Sequence, residues 1–242
     1  MPWHTAMNPL WQTGLYCGPA PVPADILLRW NLDPILLLAL AVMALTIGRR
    51  KSGAAAVAVL AIAFVSPLCA LSAALFSARV VHHVLLIAVA APLLAMALRP
   101  AMRPLALPAF LLSTVALWGW HLPVAYDAAM SNITLYWAMQ VSLFVPAVMF
   151  WRAVLSPNQS GGSSIMLLWA GFMQMAFLGA LLTLAPGALY AIHIFTPVDW
   201  GLSPLEDQQL GGLIMWIPAA LPYLAFGGLV ARRGWASRAE RA

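Results

Sequence analysis

The side chains of this 242-residue chain that could do chemistry are five histidines and a few amides and carboxylates, set among long apolar runs. Imidazole is the commonest protein ligand for borderline transition metals and titrates nearest to neutral pH, so histidines gathered on one side indicate a metal or proton site. All five fall on one side of the topology derived below. They are His4, His82, His83, His121 and His193.

The composition places the chain in a lipid bilayer. Apolar residues make up 63% of it, charged residues only 8%, and the mean hydropathy is +0.89. A soluble domain of this size could not bury so much apolar surface. The net charge of +5 comes from short basic clusters at the ends of apolar runs. Membrane topology explains this pattern, so we expect no nucleic-acid partner.

Seven apolar stretches are about long enough to cross the hydrocarbon core as helices, which takes roughly 20 residues each. They are residues 33–49, 53–76, 80–98, 104–121, 133–152, 164–185 and 209–231. This pattern predicts an all-α, polytopic seven-helix bundle at 33–231. An irregular outer segment, 1–32, precedes it and a cytoplasmic tail, 232–242, follows, all as one domain with no repeat.

The basic residues in the connections set the predicted orientation. Ten lie in alternate connections and the tail, and two lie on the opposite side. The ten are Arg49, Arg50, Lys51, Arg99, Arg103, Arg152, Arg232, Arg233, Arg238 and Arg241; the two are Arg29 and Arg79. The positive-inside rule therefore predicts an outer amino terminus and a cytoplasmic carboxyl terminus.

Only two cysteines, Cys17 and Cys69, occur, too few for a disulfide framework. Cys69 lies inside an apolar run, where a thiol seldom finds a partner. A bridge between the two stays an alternative, but we expect both thiols to be unpaired.

The predicted spans place the histidines at one depth. His82 and His83 fall in the first turn of the third span, where consecutive residues point about 100° apart. His121 ends the fourth span, and His193 lies in the loop before the seventh. The competing interpretation is that these are interfacial side chains wetted by headgroup water, and we take His4 to be incidental. No two histidines have the i, i+4 spacing of a bidentate helix, so spacing alone does not establish a metal site.

Thioether sulfur is a soft ligand for Cu(I), but twelve methionines in so apolar a chain are expected to be mainly packing residues. Those nearest the outer or middle membrane are Met130, Met139, Met173, Met175 and Met215.

The most specific polar string runs from Leu202 to Trp216. Ser203 can cap a helix with Pro204 at its first position, and Glu206 and Asp207 then face the positive end of the helix dipole. Gln208 and Gln209 enter the bilayer beside Gly211 and Gly212, where another helix can approach closely. Buried amides need partners, so we expect both glutamines to help shape an outer polar pocket.

At these residues the chain resembles the multi-pass CtaG-type cytochrome c oxidase assembly proteins over about residues 34–231. The first matching strings are Leu75-Phe76-Ser77-Ala78 with His83, and Ala91-Pro92-Leu93-Leu94. Next come Trp120-His121-Leu122-Pro123 with Tyr126-Asp127. The last are Pro204-Leu205, Asp207-Gln208-Gln209-Leu210-Gly211-Gly212 and Met215-Trp216.

The resemblance implies a non-enzymatic assembly factor in the bacterial plasma (inner) membrane. Such a protein would handle copper for a haem-copper oxidase subunit. The expected metal ligands are His83 and His121, with His193 and His82 as further candidates. The expected polar pocket consists of Arg79, Tyr126, Asp127, Asp207, Gln208 and Gln209.

Two departures from the family pattern remove candidate ligands. The third span of the family reads histidine, three residues, histidine, and here Arg79 stands at the first of these positions while His83 keeps the second. The fifth span, which commonly has histidines, has Tyr136 and Gln140 instead. Arg79 would repel a bound cation unless Asp127 or Asp207 neutralises it.

Two other functions remain as alternatives. A copper or proton transporter would need polar residues through the cytoplasmic half of the spans, where the sequence offers little beyond Ser113 and Thr114. A membrane enzyme or haem protein would need axial ligands at suitable depth, and a haem would give a Soret band in the optical spectrum.

Overall fold

The computed structural model describes residues 16–98 and 105–239, with side chains through residue 233, so His4 lies outside the described residues. Within those ranges the fold is helical and contains no strand. The first five helices are α1 (Pro34–Ile47), α2 (Lys51–Phe64), α3 (Pro67–Ala74), α4 (Phe76–Val84) and α5 (Ala91–Ala97). The rest are α6 (Ala106–Trp120), α7 (Pro123–Ser131), α8 (Ile133–Val154), α9 (Gly161–Leu184), α10 (Pro204–Trp216) and α11 (Ala220–Ala239).

Four of the described segments are long and apolar enough to cross a membrane: Phe76–Ala97, Ile133–Val154, Gly161–Leu184 and Pro204–Arg233. Two bent pairs, α2 with α3 and α6 with α7, raise the number to six if each pair is one span. The shorter apolar helix α1 occupies the first predicted span. The all-helical membrane architecture is confirmed, whereas the count of seven spans and their orientation remain predictions.

The two bends occur at X-Pro steps. α3 starts with Pro67 and is capped by Ser66, and α7 starts with Pro123 after the extended residue Leu122. A residue before proline is disfavoured in the helical region, so each helix stops before its proline. The bends are 45° for α2 with α3 and 79° for α6 with α7. The second bend places His121 at the turn between α6 and α7.

The third span, Phe76–Ala97, contains a π-helical segment at Leu85–Ala90. The Ala91 amide donates to the Leu86 carbonyl, five residues back, instead of to Ile87. Pro92 has no N–H that could reach Ile87 in its place. The orphaned Ile87 carbonyl accepts a hydrogen bond from Trp151 Nε1 at 2.8 Å, which ties the π segment to α8.

The start of the third span differs from the prediction. The helix begins at Phe76 rather than at residue 80, so His82 and His83 lie about two turns in and not in the first turn. The cause is a cap supplied from far along the chain, because the Asp207 carboxylate accepts hydrogen bonds from the Phe76 and Ser77 amides.

The expectation of two free thiols is wrong, because Cys17 and Cys69 form a disulfide. The Asn31 side-chain amide lies beside this bridge and donates to the Phe64 carbonyl, which fixes the chain before α1 against the end of α2. The residues leading into α1 are therefore tied to α3 covalently.

Candidate functional site: a buried histidine cluster beside an unpaired arginine

Three of the candidate ligands come together where α4 lies near the turn that follows α6, at one end of the bundle. The ring centroids of His82 and His83 are 5.8 Å apart, and those of His83 and His121 are 6.3 Å apart. All three side chains are buried. We call His82, His83 and His121 the histidine cluster. The lateral convergence of His83 and His121, which the sequence could not establish, is present.

Most ring nitrogens of the histidine cluster have no hydrogen-bond partner among the described residues. Both nitrogens of His83 are buried and unpartnered, and those of His82 make no hydrogen bond of normal geometry, although the Gln140 side chain and the Ala63 backbone lie beside that ring. His121 Nδ1 lies 2.7 Å from the Leu117 carbonyl, so it must be the protonated nitrogen, which leaves the Nε2 lone pair available. A buried polar group without a partner costs about 1–3 kcal/mol, so these nitrogens suit a ligand.

The His83–His121 distance bears on which metal geometry would fit. With metal–nitrogen bonds of about 2 Å, two imidazoles on one ion have ring centres about 5 Å apart at a tetrahedral angle and just over 6 Å apart in a linear arrangement. The 6.3 Å separation lies at the larger of these values. No group of three or more histidine, cysteine or acidic side chains in the described ranges is arranged to hold a metal. The His83 and His121 rings therefore stand at a separation that a two-coordinate ion would span, and no third ligand joins them in the described ranges.

His193 lies near this end of the bundle but uses both ring nitrogens elsewhere. Its Nδ1 donates to the Ala74 carbonyl at 3.3 Å, and its Nε2 accepts from the Tyr126 hydroxyl at 2.8 Å. This arrangement leaves His193 no lone pair for a metal. Burial, and to a lesser extent the Arg79 charge, lower the pKa of His193 to about 3, so the ring is neutral at physiological pH.

The low pKa of His193 predicts an acid-sensitive fold. In the unfolded chain a histidine has a pKa near 6.5 and is protonated below that pH, whereas the folded His193 stays neutral down to about pH 3. The free energy of unfolding is therefore highest above pH 6.5 and falls as the pH drops towards 3. We expect a loss of about 1 kcal/mol per pH unit from this residue between pH 6 and 4. The melting temperatures of the wild type and of His193→Gln should therefore approach each other as the pH is lowered. A difference in melting temperature that stays constant with pH would contradict the low pKa of His193.

Arg79 lies beside the histidine cluster as a buried cation, and no acidic side chain of the described residues pairs with it. Its Nη1 donates to the Tyr136 hydroxyl at 3.4 Å, and its guanidinium stands 5.2 Å from the centre of that ring. Nε and Nη2 are buried and have no partner in the described part of the chain. The side-chain amide of Gln140, one turn along α8 from Tyr136, is also unpartnered at both atoms.

Neither acid considered as a neutraliser of Arg79 pairs with it. Asp207 caps α4 through the Phe76 and Ser77 amides and also accepts from Ser77 Oγ at 2.5 Å. Asp127 accepts from the Ala191 and Ile192 amides at 3.1 and 3.3 Å. Both carboxylates therefore hold the backbone together at this end of the bundle, and the positive charge of Arg79 remains.

The remaining polar-pocket candidates contact the carboxyl-terminal end of α9 or the loop that joins it to α10. Gln208 accepts from the Leu189 amide at 2.7 Å and donates to the Leu182 carbonyl at 3.2 Å. Gln209 is half-buried, and its carbonyl is 3.5 Å from the Thr183 hydroxyl. Tyr126 packs against Tyr190, whose hydroxyl donates to the His121 carbonyl and so fixes the His121 turn.

A small cavity lies further into the bundle, next to the turn that ends at His121. Its polar lining consists of Ser113, Gln174 and Tyr223, and Leu117, whose carbonyl accepts from His121, also lines it. Gln174 Oε1 accepts from Trp118 Nε1 at 2.9 Å. Polar groups thus continue from the histidine cluster towards the middle of the bundle.

Sequence reasoning missed a segment that covers this end of the bundle, Tyr16 and Cys17, which we call the strap. The Tyr16 ring stacks on Tyr136 at 5.1 Å and contacts the edge of Trp137 at 4.8 Å. The Tyr16 hydroxyl donates to Asp33 at 3.0 Å. Cys17 Sγ is 3.6 Å from the Tyr136 hydroxyl. The only signal in the sequence was the presence of a second cysteine.

The comparison with known families gives one match over most of the chain. Residues 41–237 match the family described as cytochrome c oxidase caa3 assembly factor (Caa3_CtaG). No curated protein and no solved structure matches the chain. The matched range contains the histidine cluster, Arg79 and Asp207, and it leaves out the strap.

Proposed function

Because the chain belongs to the cytochrome c oxidase caa3 assembly factor family, we propose that it helps to assemble a haem-copper oxidase by handling copper for the recipient subunit. The proposed site is the histidine cluster, at the outer face of a bacterial inner membrane. The role is one of binding and transfer and needs no catalytic residue.

The observation that supports copper handling is the set of unpartnered nitrogens in the histidine cluster. His83 and His121 stand at the separation expected for a linear ion, and His82 adds a third ring. A cuprous ion would replace missing hydrogen bonds with metal–ligand bonds. A copper ion that is delivered to another protein has to dissociate from this site, and an ion with few ligands dissociates more readily.

Arg79 lowers the affinity of the proposed site for copper, which suits a protein that must release the ion. Its guanidinium charge opposes a second cation in a low-dielectric interior. Copper would therefore bind less tightly than two buried imidazoles alone would allow. A site of this kind releases its cargo to a stronger one, which is what delivery to an oxidase subunit requires.

Cu(I) titration of the full-length protein in detergent against a colorimetric chelator tests the proposal. We expect one Cu(I) per chain in the wild type, and at least tenfold weaker binding in the double variant His83→Ala, His121→Ala. Loss of one of two ligands is expected to remove most of the affinity, so each single variant should also bind poorly. Full binding by the double variant would reject the site.

His193→Gln is the matched control for this titration, because both nitrogens of His193 are engaged by the protein. It should keep the wild-type stoichiometry if the variant remains folded by size-exclusion chromatography. Loss of copper from the folded His193→Gln protein would mean that the ring exchanges its bonds for the metal.

The alternative, transport of copper or protons, is favoured by the polar-lined cavity beside Leu117. It predicts movement of copper or protons into proteoliposomes, abolished by Gln174→Leu. Copper binding without flux would favour the assembly role.

A further inference from the structure

We propose that Arg79 and Gln140 form a binding site for a carboxylate that this chain does not itself supply. The inference goes beyond copper handling and does not depend on it. It rests on the unused hydrogen-bonding groups of two buried side chains and on the fate of the chain's own acids.

The unpartnered atoms of Arg79 have the geometry of a carboxylate receptor. Nε and Nη2 form one edge of the guanidinium, from which two parallel N–H groups can meet the two oxygens of a carboxylate. Both atoms are buried without a partner among the described residues, while Nη1 is already used by Tyr136. The free edge is therefore the bidentate one. Arginine stays charged, so deprotonation cannot remove the cost of its burial.

Gln140 provides a further polar group at the same place. Tyr136 and Gln140 lie four residues apart on α8, so both project from one face of that helix. The Tyr136 hydroxyl accepts from Arg79 Nη1, so the guanidinium lies at this face of α8. The amide of Gln140 is 2% exposed and unpartnered at both atoms. Its N–H₂ can donate to the same anion that Arg79 binds.

The acidic side chains of the described residues have partners other than Arg79 or lie at the surface. Asp25 pairs with Arg29, and Asp33 caps α1 and binds Tyr16. Asp127 and Asp207 hold backbone amides, and Glu206 completes the capping box of α10. Asp199 is exposed, and no carboxylate in the described ranges forms an ion pair with Arg79. Glu240 lies outside those ranges, in the predicted cytoplasmic tail. Among the described residues, no carboxylate is therefore left to pair with Arg79.

The strap is the cover of this site. The Tyr136 hydroxyl contacts both Cys17 Sγ, at 3.6 Å, and Arg79 Nη1, at 3.4 Å. Tyr16 and Cys17 are partly exposed, whereas Tyr136, Arg79 and Gln140 are buried. A carboxylate reaches Arg79 when the strap lifts. The Cys17–Cys69 disulfide, which ties the strap to α3, opposes that movement.

The test is ligand-induced stabilisation of the full-length protein in a non-ionic detergent, because a ligand that binds only the folded state raises the melting temperature. Sodium acetate is compared with sodium chloride at equal ionic strength. We expect acetate to raise the wild-type melting temperature more than chloride. The increase should vanish in Arg79→Gln and shrink in Arg79→Lys, which keeps the charge but loses the planar fork.

Arg29→Gln is the matched control, because Arg29 already has Asp25 as a partner. It should respond to acetate as the wild type does. An equal acetate response in Arg79→Gln, or no response in the wild type to any carboxylate, would overturn the proposal. A larger response to inorganic phosphate than to carboxylates would overturn the choice of ligand.

Two further measurements identify the source of the carboxylate and the path by which it reaches Arg79. Saturation by acetate indicates a small free acid, whereas a response only to N-acetyl-aspartate amide indicates an acidic side chain of a bound polypeptide. Cys17→Ser should enlarge the acetate response, since lifting the strap then costs less. An unchanged or smaller response in Cys17→Ser would reject the strap as the cover.

Discussion

Gly212→Ala is expected to separate α9 from α10 and to prevent stable folding. A Cβ at residue 212 would lie 2.5 Å from the Gly179 carbonyl oxygen and 2.7 Å from the Thr183 amide nitrogen. Both are backbone atoms of α9, so neither can rotate away and the helices must move apart. Overpacking of this kind costs about 1–3 kcal/mol where side chains can yield, and a backbone clash should reach or exceed the upper value.

Gly228→Ala provides the matched control in α11. A Cβ there meets nothing within 4 Å, so the same substitution adds only helix propensity, worth up to about 1 kcal/mol in favour of alanine. Yield in the membrane and melting temperature in detergent are the measurements. The close contact between α9 and α10 would be disproved if the two alanine variants were equally stable.

Asp207→Ala is expected to be nearly as damaging. The Asp207 carboxylate accepts from the Phe76 amide at 2.6 Å, the Ser77 amide at 3.1 Å and the Ser77 hydroxyl at 2.5 Å. Alanine would leave three donors without a partner in a site where Asp207 is fully buried. At about 1–3 kcal/mol for each unsatisfied buried group, the loss should be at least about 3 kcal/mol. The start of α4, and with it His82 and His83, should then lose its fixed position.

Glu206→Ala separates this effect from the loss of any acid in α10. Glu206 is exposed and bonds only within its own capping box with Ser203, so its removal should cost about 1 kcal/mol. Thermal unfolding and Cu(I) binding should be measured on both variants. A similar stability of the Asp207→Ala and Glu206→Ala proteins would show that the cap on α4 contributes little.

Local signals predicted the helical elements and several of their ends. The Ser203-Pro204 start of α10 and its capping box with Glu206 are confirmed, because every participant lies within four residues. Asn132 and Ser160, which were not predicted as caps, also cap α8 and α9 through short contacts. Apolar run length located the helices well, since burial in lipid depends on local composition.

The functions of individual polar residues could not be predicted in the same way. Asp207 lies in the first turn of α10 as expected, but its carboxylate also caps α4 from 130 residues away, which was not predicted. His193 was expected among the metal ligands, yet it binds Tyr126 and Ala74. These partners are determined by lateral packing, on which hydropathy carries no information. The roles of His82, His83 and His121 as copper ligands remain predictions.

The π-helical segment at Leu85–Ala90 has a consequence for residue numbering along the third span. A π turn takes in one more residue than an α turn, so the segment acts as a single-residue insertion that shifts later side chains by about 100° around the axis. Positions before it, including Arg79 and His83, keep one register, and positions after Ala91 follow another. A relative whose third span is one residue shorter should therefore be aligned with its gap inside Leu85–Ala90. Placed elsewhere, the gap would assign the faces of one half of the helix wrongly.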